Sequence, residues 1–283
     1  MSGQVMDTEY PGGVSNQDIK QQAIARAAAA STFDFPTEIV DLPSKGLLYA
    51  IDSPLSSGKV EMKYMTAREE DILTNPTLIS QGKALDKLFQ ALIVGNGDGM
   101  PVNAAELTLG DKNAVMIAAR VLGYGPEYAI KVNVPGTGES FSHTVDLTEI
   151  ANAGIDESLY NNTNRFEFVL PIGKQVIEYK ILTSDEEVEI ANLLEKQALR
   201  GHSKGITTRL KYQILSVNGN ADKSYVDKFI DNELIARDSL QLRTRIAEIT
   251  PDIDLTVQVD NAEYNYSGRV MLPIGLDFFW PGA

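Results

Sequence analysis

The sequence predicts an α+β protein built from two copies of one unit. Three observations lead there. First, a strand running into a helix start occurs twice. Val60-Glu61-Met62-Lys63-Tyr64-Met65 leads into Thr66-Ala67-Arg68-Glu69-Glu70, and 117 residues later Ile177-Glu178-Tyr179-Lys180-Ile181-Leu182 leads into Thr183-Ser184-Asp185-Glu186-Glu187. Six of the sixteen positions in 60–75 and 177–192 are identical, and most of the others keep their apolar or polar character. Second, a Leu-Pro turn precedes each copy, as Leu42-Pro43-Ser44-Lys45-Gly46 and Leu170-Pro171-Ile172-Gly173. Third, each half passes from strands to helices and back to strands. That segregation marks α+β, whereas α/β chains alternate.

The elements follow in order. Residues 1–16 are rich in Gly, Ser and acids and read as a tail. Gln17 to Ser31 is rich in Ala and Gln and has helical character. A run of alanine buries little area, so such a helix needs a partner. Residues 1–36 are therefore a frayed tail or an arm that docks on a neighbouring subunit. The first unit spans 37–150. Two short strands flank the loop Tyr49 to Gly58. Thr66 with Glu69 three residues on is a capping box that opens a helix, as is Thr183 with Glu186. A second helix near 83–94 sets Leu85, Leu88, Phe89, Leu92 and Ile93 against Lys83, Asp86, Lys87 and Gln90, a core-facing amphipathic pattern. The segment Gly95-Asn96-Gly97-Asp98-Gly99-Met100-Pro101 breaks it. A third helix near 111–122 ends at Gly123 as C-cap. Strands near 128–134 and 141–147 close the unit as a hairpin around Pro135-Gly136-Thr137-Gly138.

The best boundary is 150–165, ending Asn161-Asn162-Thr163-Asn164. The second unit, 151–283, repeats the order. Strands are expected near 166–170 and 175–182, then helices near 184–199, 206–216, 222–232 and 236–249. Pro251 ends the last helix. A strand at 253–259, a turn at Asp260-Asn261-Ala262 and strands to Phe279 complete it.

Composition narrows the function. The chain has 283 residues, with 25 basic and 39 acidic side chains, for a net charge of −14. Residues 37–150 hold nine basic and fifteen acidic side chains, and 151–283 hold fourteen and twenty, so the halves are equally acidic. An acidic field opposes the phosphate neutralisation that nucleic-acid binding needs and favours basic protein partners. There is no cysteine, which removes disulfides, thiol nucleophiles and thiolate metal sites. No apolar run reaches the roughly 18–20 residues of a membrane span. The start, Met1-Ser2-Gly3-Gln4-Val5, lacks a signal pattern. The expectation is a protein made and kept in a cytoplasm.

Catalytic vocabulary is sparse. The two histidines are His143, in an alternating segment, and His202, beside a glycine; neither belongs to a helical metal-ligand pair. The glycine-rich 95–99 lacks the Gly-Lys-Ser/Thr ending of a phosphate loop. Ser56-Ser57-Gly58-Lys59 has a Ser-x-x-Lys spacing, but Gly58 and the strand after it make a turn and not a catalytic helix start. The acidic runs Glu69-Glu70-Asp71 and Asp185-Glu186-Glu187 sit in first helical turns, where they complement the helix dipole. Asn161-Asn162-Thr163 is a formal glycosylation sequon without any sign of secretion. No catalytic residue, cofactor, metal or small-molecule substrate is expected. The densest aromatic stretch is Leu272-Pro273-Ile274-Gly275-Leu276-Asp277-Phe278-Phe279-Trp280-Pro281, which holds the only tryptophan. Its rings pack on the chain's own sheet or dock into a partner.

Leu42-Pro43-Ser44-Lys45-Gly46-Leu47-Leu48-Tyr49, then Gly58 to Met65 with Thr66, Glu69-Glu70-Asp71 and Ile72-Leu73, resemble the opening of the baseplate hub protein family of T4-type contractile-tailed bacteriophages. Leu272-Pro273-Ile274-Gly275 with Phe278-Phe279-Trp280-Pro281 resembles that family's C-terminus. The resemblance covers about residues 37–283 and rests on structural turns and strands. It implies a component of the tail baseplate hub, or a factor that assembles it. Members of this kind can carry cysteine pairs resembling zinc knuckles in the closing hairpins. Here those turns are Val134-Pro135-Gly136-Thr137-Gly138 and Asp260-Asn261-Ala262-Glu263, without a ligand, so no zinc is expected.

The resulting expectation is a non-enzymatic structural or assembly protein of a phage tail baseplate hub. Its partners would be other baseplate, hub or tape-measure proteins, with no nucleic acid and no membrane span. It would reside in the virion or, during assembly, in the host cytoplasm. The alternative is a tape-measure or hub assembly chaperone absent from the mature virion. A hydrolase with dispersed acids and an acidic mimic of nucleic acid are the remaining readings. The partner-contact residues expected are Leu42, Pro43, Leu47, Tyr49, Phe278, Phe279 and Trp280.

Overall fold

Strand β1 (Thr37–Asp41) pairs antiparallel with β2 (Lys59–Lys63), and β2 pairs with β3 (Ile93–Gly95). The computed structural model that gives these elements describes residues 36–201 and 204–279. The expected N-terminal arm, His202 and Trp280 lie outside the described residues. Alternation in β2 turns Val60 and Met62 fully inward, and the strand runs straight into a capped helix. That helix, α1 (Ala67–Leu73), opens on the expected capping box: the Thr66 amide donates to Glu69 Oε2 at 3.1 Å. Lys63 donates to the other carboxylate oxygen at 2.9 Å. Asn75 then caps α2 (Pro76–Ser80), with Pro76 in the first helical position. Helix α3 (Ala84–Leu92) buries Ala84, Leu88, Phe89 and Leu92 on one stripe.

Helix α4 (Leu109–Tyr124) is the centre of the molecule and is buried almost all round. It ends at Gly125, with φ 86°, and not at Gly123 as expected. Gly123 packs against the Met65 side chain: a Cβ there would lie 3.1 Å from Met65 Cε. Strands β4 (Glu127–Asn133) and β5 (Ser140–Asp146) form the expected hairpin.

The same order recurs in the second half. Strands β6 (Phe166–Val169), β7 (Val176–Tyr179) and β8 (Ile214–Val217) form a three-stranded antiparallel sheet with β7 in the middle. Its helices are α5 (Ser184–Leu199), α6 (Gly205–Gln213), α7 (Lys223–Asn232) and α8 (Ala236–Ile249), followed by the hairpin β9 (Thr256–Asn261) and β10 (Tyr266–Met271). Both central strands slip register at matching places, between Glu61 and Met62 and between Glu178 and Tyr179. Thr183 and Glu186 repeat the capping box, and Lys180 bonds Glu186 as Lys63 bonds Glu69.

The fold is α+β, with several small antiparallel sheets. Four further expectations need correction. The last turn spans 262–265, because Asp260 and Asn261 pair with Ser267 and Tyr266 in the hairpin. The helix expected over 206–216 stops at Gln213, and Ile214–Val217 is a strand. Ile93–Gly95 is likewise a strand. The C-terminal strand expected to run to Phe279 ends at Met271, and Leu276–Phe279 is a 3-10 turn.

The described residues from Thr37 onward form one compact unit in which both halves share a core. The seam between them joins backbone to backbone and side chain to side chain. Ser184 N donates to Leu107 O at 2.7 Å, and Asn113 donates to Asp252 Oδ1 at 3.0 Å. Gly110, in the first turn of α4, is what allows this approach. A Cβ at Gly110 would lie 2.0 Å from the Pro251 carbonyl oxygen. Gly110→Ala should therefore push the halves apart and cost about 1–3 kcal/mol, the usual range for overpacking. A chemical denaturation curve measures it; an unchanged midpoint would remove Gly110 from the seam.

Candidate functional site

The first Leu-Pro turn folds onto a buried carboxylate. Leu42, Pro43, Ser44, Leu48 and Tyr49 are all buried, while Leu47 is half-buried. Asp111, three residues into the α4 end, has no exposed surface and accepts three hydrogen bonds. Ser44 N reaches Oδ1 at 3.0 Å, and Tyr49 OH and Thr108 Oγ1 reach Oδ2 at 2.5 and 3.0 Å. The Tyr49 oxygen in turn accepts from Thr108 N at 3.0 Å. Burial pushes the Asp111 carboxyl above the ordinary aspartate value, against the pull of these donors. Burial and the neighbouring Asp111 push the Tyr49 hydroxyl well up, so Tyr49 remains a donor.

The second Leu-Pro turn is held the same way. Asp238, at the matching place in α8 and 1% exposed, accepts from Ile172 N at 3.0 Å and Gly173 N at 2.7 Å. Each half thus uses one buried carboxylate to fix a turn whose amides have no strand partner. Sequence reading missed both residues. Each looks like an ordinary acid in a first helical turn, and only the recurrence of Leu-Pro and of the helix start together could have paired them.

The C-terminal aromatics close over the first half. Phe278 and Phe279 are 1% and 0% exposed. The Phe278 ring meets Tyr128 edge-on, with centroids 4.8 Å apart. Arg120, buried in α4, donates to the carbonyls of Phe278, Gly125 and Glu127 at 3.1, 3.0 and 3.3 Å, and its guanidinium lies 5.2 Å from the Tyr124 ring centre. Burial lowers the Arg120 pKa, offset by the neighbouring tyrosines. Of the expected contact residues, Leu42, Pro43, Tyr49, Phe278 and Phe279 are therefore covered by the chain itself. Their role in this fold is core packing, because both motifs lie where the two halves fold onto α4. Leu47 keeps partial exposure, and Trp280 lies outside the described residues.

An open surface lies elsewhere. A groove of about 490 Å3 runs along β1 and α4. Val40, Ala114, Ile117, Ala118, Val121 and Leu122 make its apolar floor, with Leu147, Ile150 and Ile253 at one side. Glu38 and Asp41 are its charged lining residues. β1 is an edge strand, bonded only to β2, and Ile39 on it is 49% exposed. A second cavity, about 660 Å3, gathers Lys180, Lys204, Lys211 and Lys223, of which Lys180, Lys211 and Lys223 are ion-paired with Glu186, Asp231 and Asp227.

His143 sits on β5, opposite Ile130. Ser56 and Lys59 fall in a 3-10 turn and the strand after it. In the glycine-rich loop, Asn96 Oδ1 accepts from Asp98 N and Met100 N at 2.9 and 3.1 Å. Among the described residues no three His, Cys, Asp or Glu side chains gather as a metal site, and no helix is long and apolar enough to cross a membrane. What the groove offers is apolar contact with an acidic rim. Comparisons with protein-family models, with curated proteins and with solved structures found no match to this chain.

Proposed function

We propose that this chain is a non-enzymatic structural or assembly protein of a phage tail baseplate hub, built by tandem duplication and acting through contacts with hub or tape-measure proteins. One observation carries the binding part. Among the described residues, the two most deeply buried carboxylates, Asp111 and Asp238, occupy matching places and each ties down a turn. Neither lines the β1–α4 groove. A buried acid that serves a backbone amide is a positioned scaffold element, whereas a catalytic acid faces a cavity. The phage setting rests on the resemblance of Leu42–Tyr49 and of Leu272–Pro281 to hub proteins.

Quantitative mass spectrometry of purified particles beside the lysate of infected cells tests it. A few fixed copies per particle are expected for a hub subunit, residing in the virion. Abundance in the lysate with absence from particles would make the chain an assembly chaperone of the host cytoplasm. Absence from both would overturn the phage setting.

A further inference from the structure

A cavity of about 370 Å3 lies where α5, α6 and α8 meet the first residue of α4. Leu109, Ile181, Leu182 and Ile246 give it apolar walls. Its polar lining divides into groups that are paired and groups that are not. Arg209 and Glu187 satisfy each other through two bonds of 2.6 Å, so together they add no net charge. Arg243 uses only its Nε, which donates to the Ser239 carbonyl at 3.3 Å, and its two terminal nitrogens make no hydrogen bond. Asp252 receives Asn113 Nδ2 and its neighbour Ile253 N on Oδ1, at 3.0 and 2.8 Å, and leaves Oδ2 without a donor. Among the described residues neither Arg243 nor Asp252 has an ionic partner, and they do not pair with each other.

Gln213 is the third unpaired group. It ends α6, lines the same cavity and is only 6% exposed, yet its side-chain amide makes no hydrogen bond and its oxygen is shielded from solvent. A buried amide of this kind costs stability unless a partner is supplied. One wall thus holds a guanidinium fork, an open carboxylate oxygen and an unused amide, set among aliphatic side chains.

We propose that this cavity binds a small zwitterion with an apolar body, an aliphatic α-amino acid. Its carboxylate meets the Arg243 fork, whose parallel N–H groups match two carboxylate oxygens. Its ammonium turns to Asp252 Oδ2 and the Gln213 amide, and its side chain lies against Leu109, Ile181, Leu182 and Ile246. A zwitterion brings both signs to a site that has one unpaired charge of each, whereas a plain anion would also face Asp252. The volume falls in the range of small-molecule sites. Asp252 also holds Asn113 of α4, so an occupied cavity strengthens the seam between the halves. The inference stands apart from the phage setting: a chain absent from particles that binds the amino acid keeps the cavity, and a hub subunit indifferent to it loses the cavity alone.

Calorimetric titration of the full chain with leucine tests it, beside isocaproate, which lacks the ammonium, and isoamylamine, which lacks the carboxylate. Leucine should bind saturably and raise the melting temperature as its concentration rises. Each single-charge analogue should bind about tenfold or more weakly. Arg243→Met should bring leucine down to the level of isoamylamine and leave isoamylamine unchanged; a misfolded variant would lose both. Gln213→Met should also weaken leucine, while the empty variant is no less stable than wild type because it deletes an unpaired amide. Isocaproate that binds as tightly as leucine, leucine binding that survives Arg243→Met, or neither saturable heat nor a rise in melting temperature would overturn the proposal. A Gln213→Met variant that is less stable when empty and binds leucine as before would return Gln213 to packing and overturn its part in the site.

Discussion

Asp111→Ala should lower stability by about 3–5 kcal/mol, among the largest effects of any single substitution in the first half. The wild-type carboxylate serves Ser44 N, Tyr49 OH and Thr108 Oγ1, all buried. Removing it leaves these donors without water to replace it, at about 1–3 kcal/mol each before relaxation. Tyr49 and Thr108 recover part of this by bonding each other. Asp238→Ala should cost less, about 2 kcal/mol, because it leaves two amides in partly buried positions. Urea denaturation decides it: the midpoint should fall with the slope unchanged. A loss under about 1 kcal/mol for Asp111→Ala would end the account of Asp111 as the anchor of the first turn.

The same residue carries a pH signature. Burial holds the Asp111 pKa above that of an unfolded aspartate. The folded state therefore binds this proton more tightly than the unfolded one. The stability it contributes is fully present below the ordinary aspartate range and is lost as pH rises through the raised value. Asp111→Asn cannot ionise. The advantage of wild type over Asp111→Asn should shrink from acid to neutral pH; an advantage that grows over this range would mean the folded carboxylate is held below its ordinary value.

What could be read from the chain is what is written locally. Thr66 with Glu69 and Thr183 with Glu186 specify helix starts by chemistry three residues apart, and both formed. Ile93–Gly95 and Ile214–Val217 were not legible. Each is a short continuation of a helix, and each is a strand only because Glu61–Met62 or Ile177–Tyr179 lies beside it. Gly123 misled for a related reason: it looks like a cap, but the helix runs on to Gly125 and Gly123 lies against Met65. The groove was invisible in the same way. Its lining draws on β1, on α4 and on Ile253, more than two hundred residues from Glu38. The Leu42–Tyr49 and Leu272–Phe279 motifs stood out in sequence, yet they mark places where the chain packs against α4.

Phe278→Ala should cost about 3–5 kcal/mol, the range for emptying a ring from a closed core. The ring is 1% exposed and packs between Tyr128 and Phe279, with centroids 4.8 and 5.6 Å away. Beneath it Arg120 holds the Phe278 carbonyl, and Tyr128 OH holds the Pro273 carbonyl at 3.1 Å. These contacts tie the end of the second half to the hairpin of the first. The variant should therefore weaken both halves together. Far-ultraviolet and near-ultraviolet circular dichroism should report one coincident transition at a lower denaturant concentration. Two separated transitions would mean that the C-terminal segment is a removable strap over an independently stable first half. A cost below about 1 kcal/mol with assembly lost would instead make Phe278 a partner contact. The guanidinium discriminates further. Arg120→Leu keeps apolar packing but removes the donors to three carbonyls, so it should release the segment even with both phenylalanines in place. If the Phe278 ring alone closes the core, Arg120→Leu will be mild; if the ring and the buried cation close it together, the two losses will be of similar size and less than additive in the double variant, because either one frees the same segment.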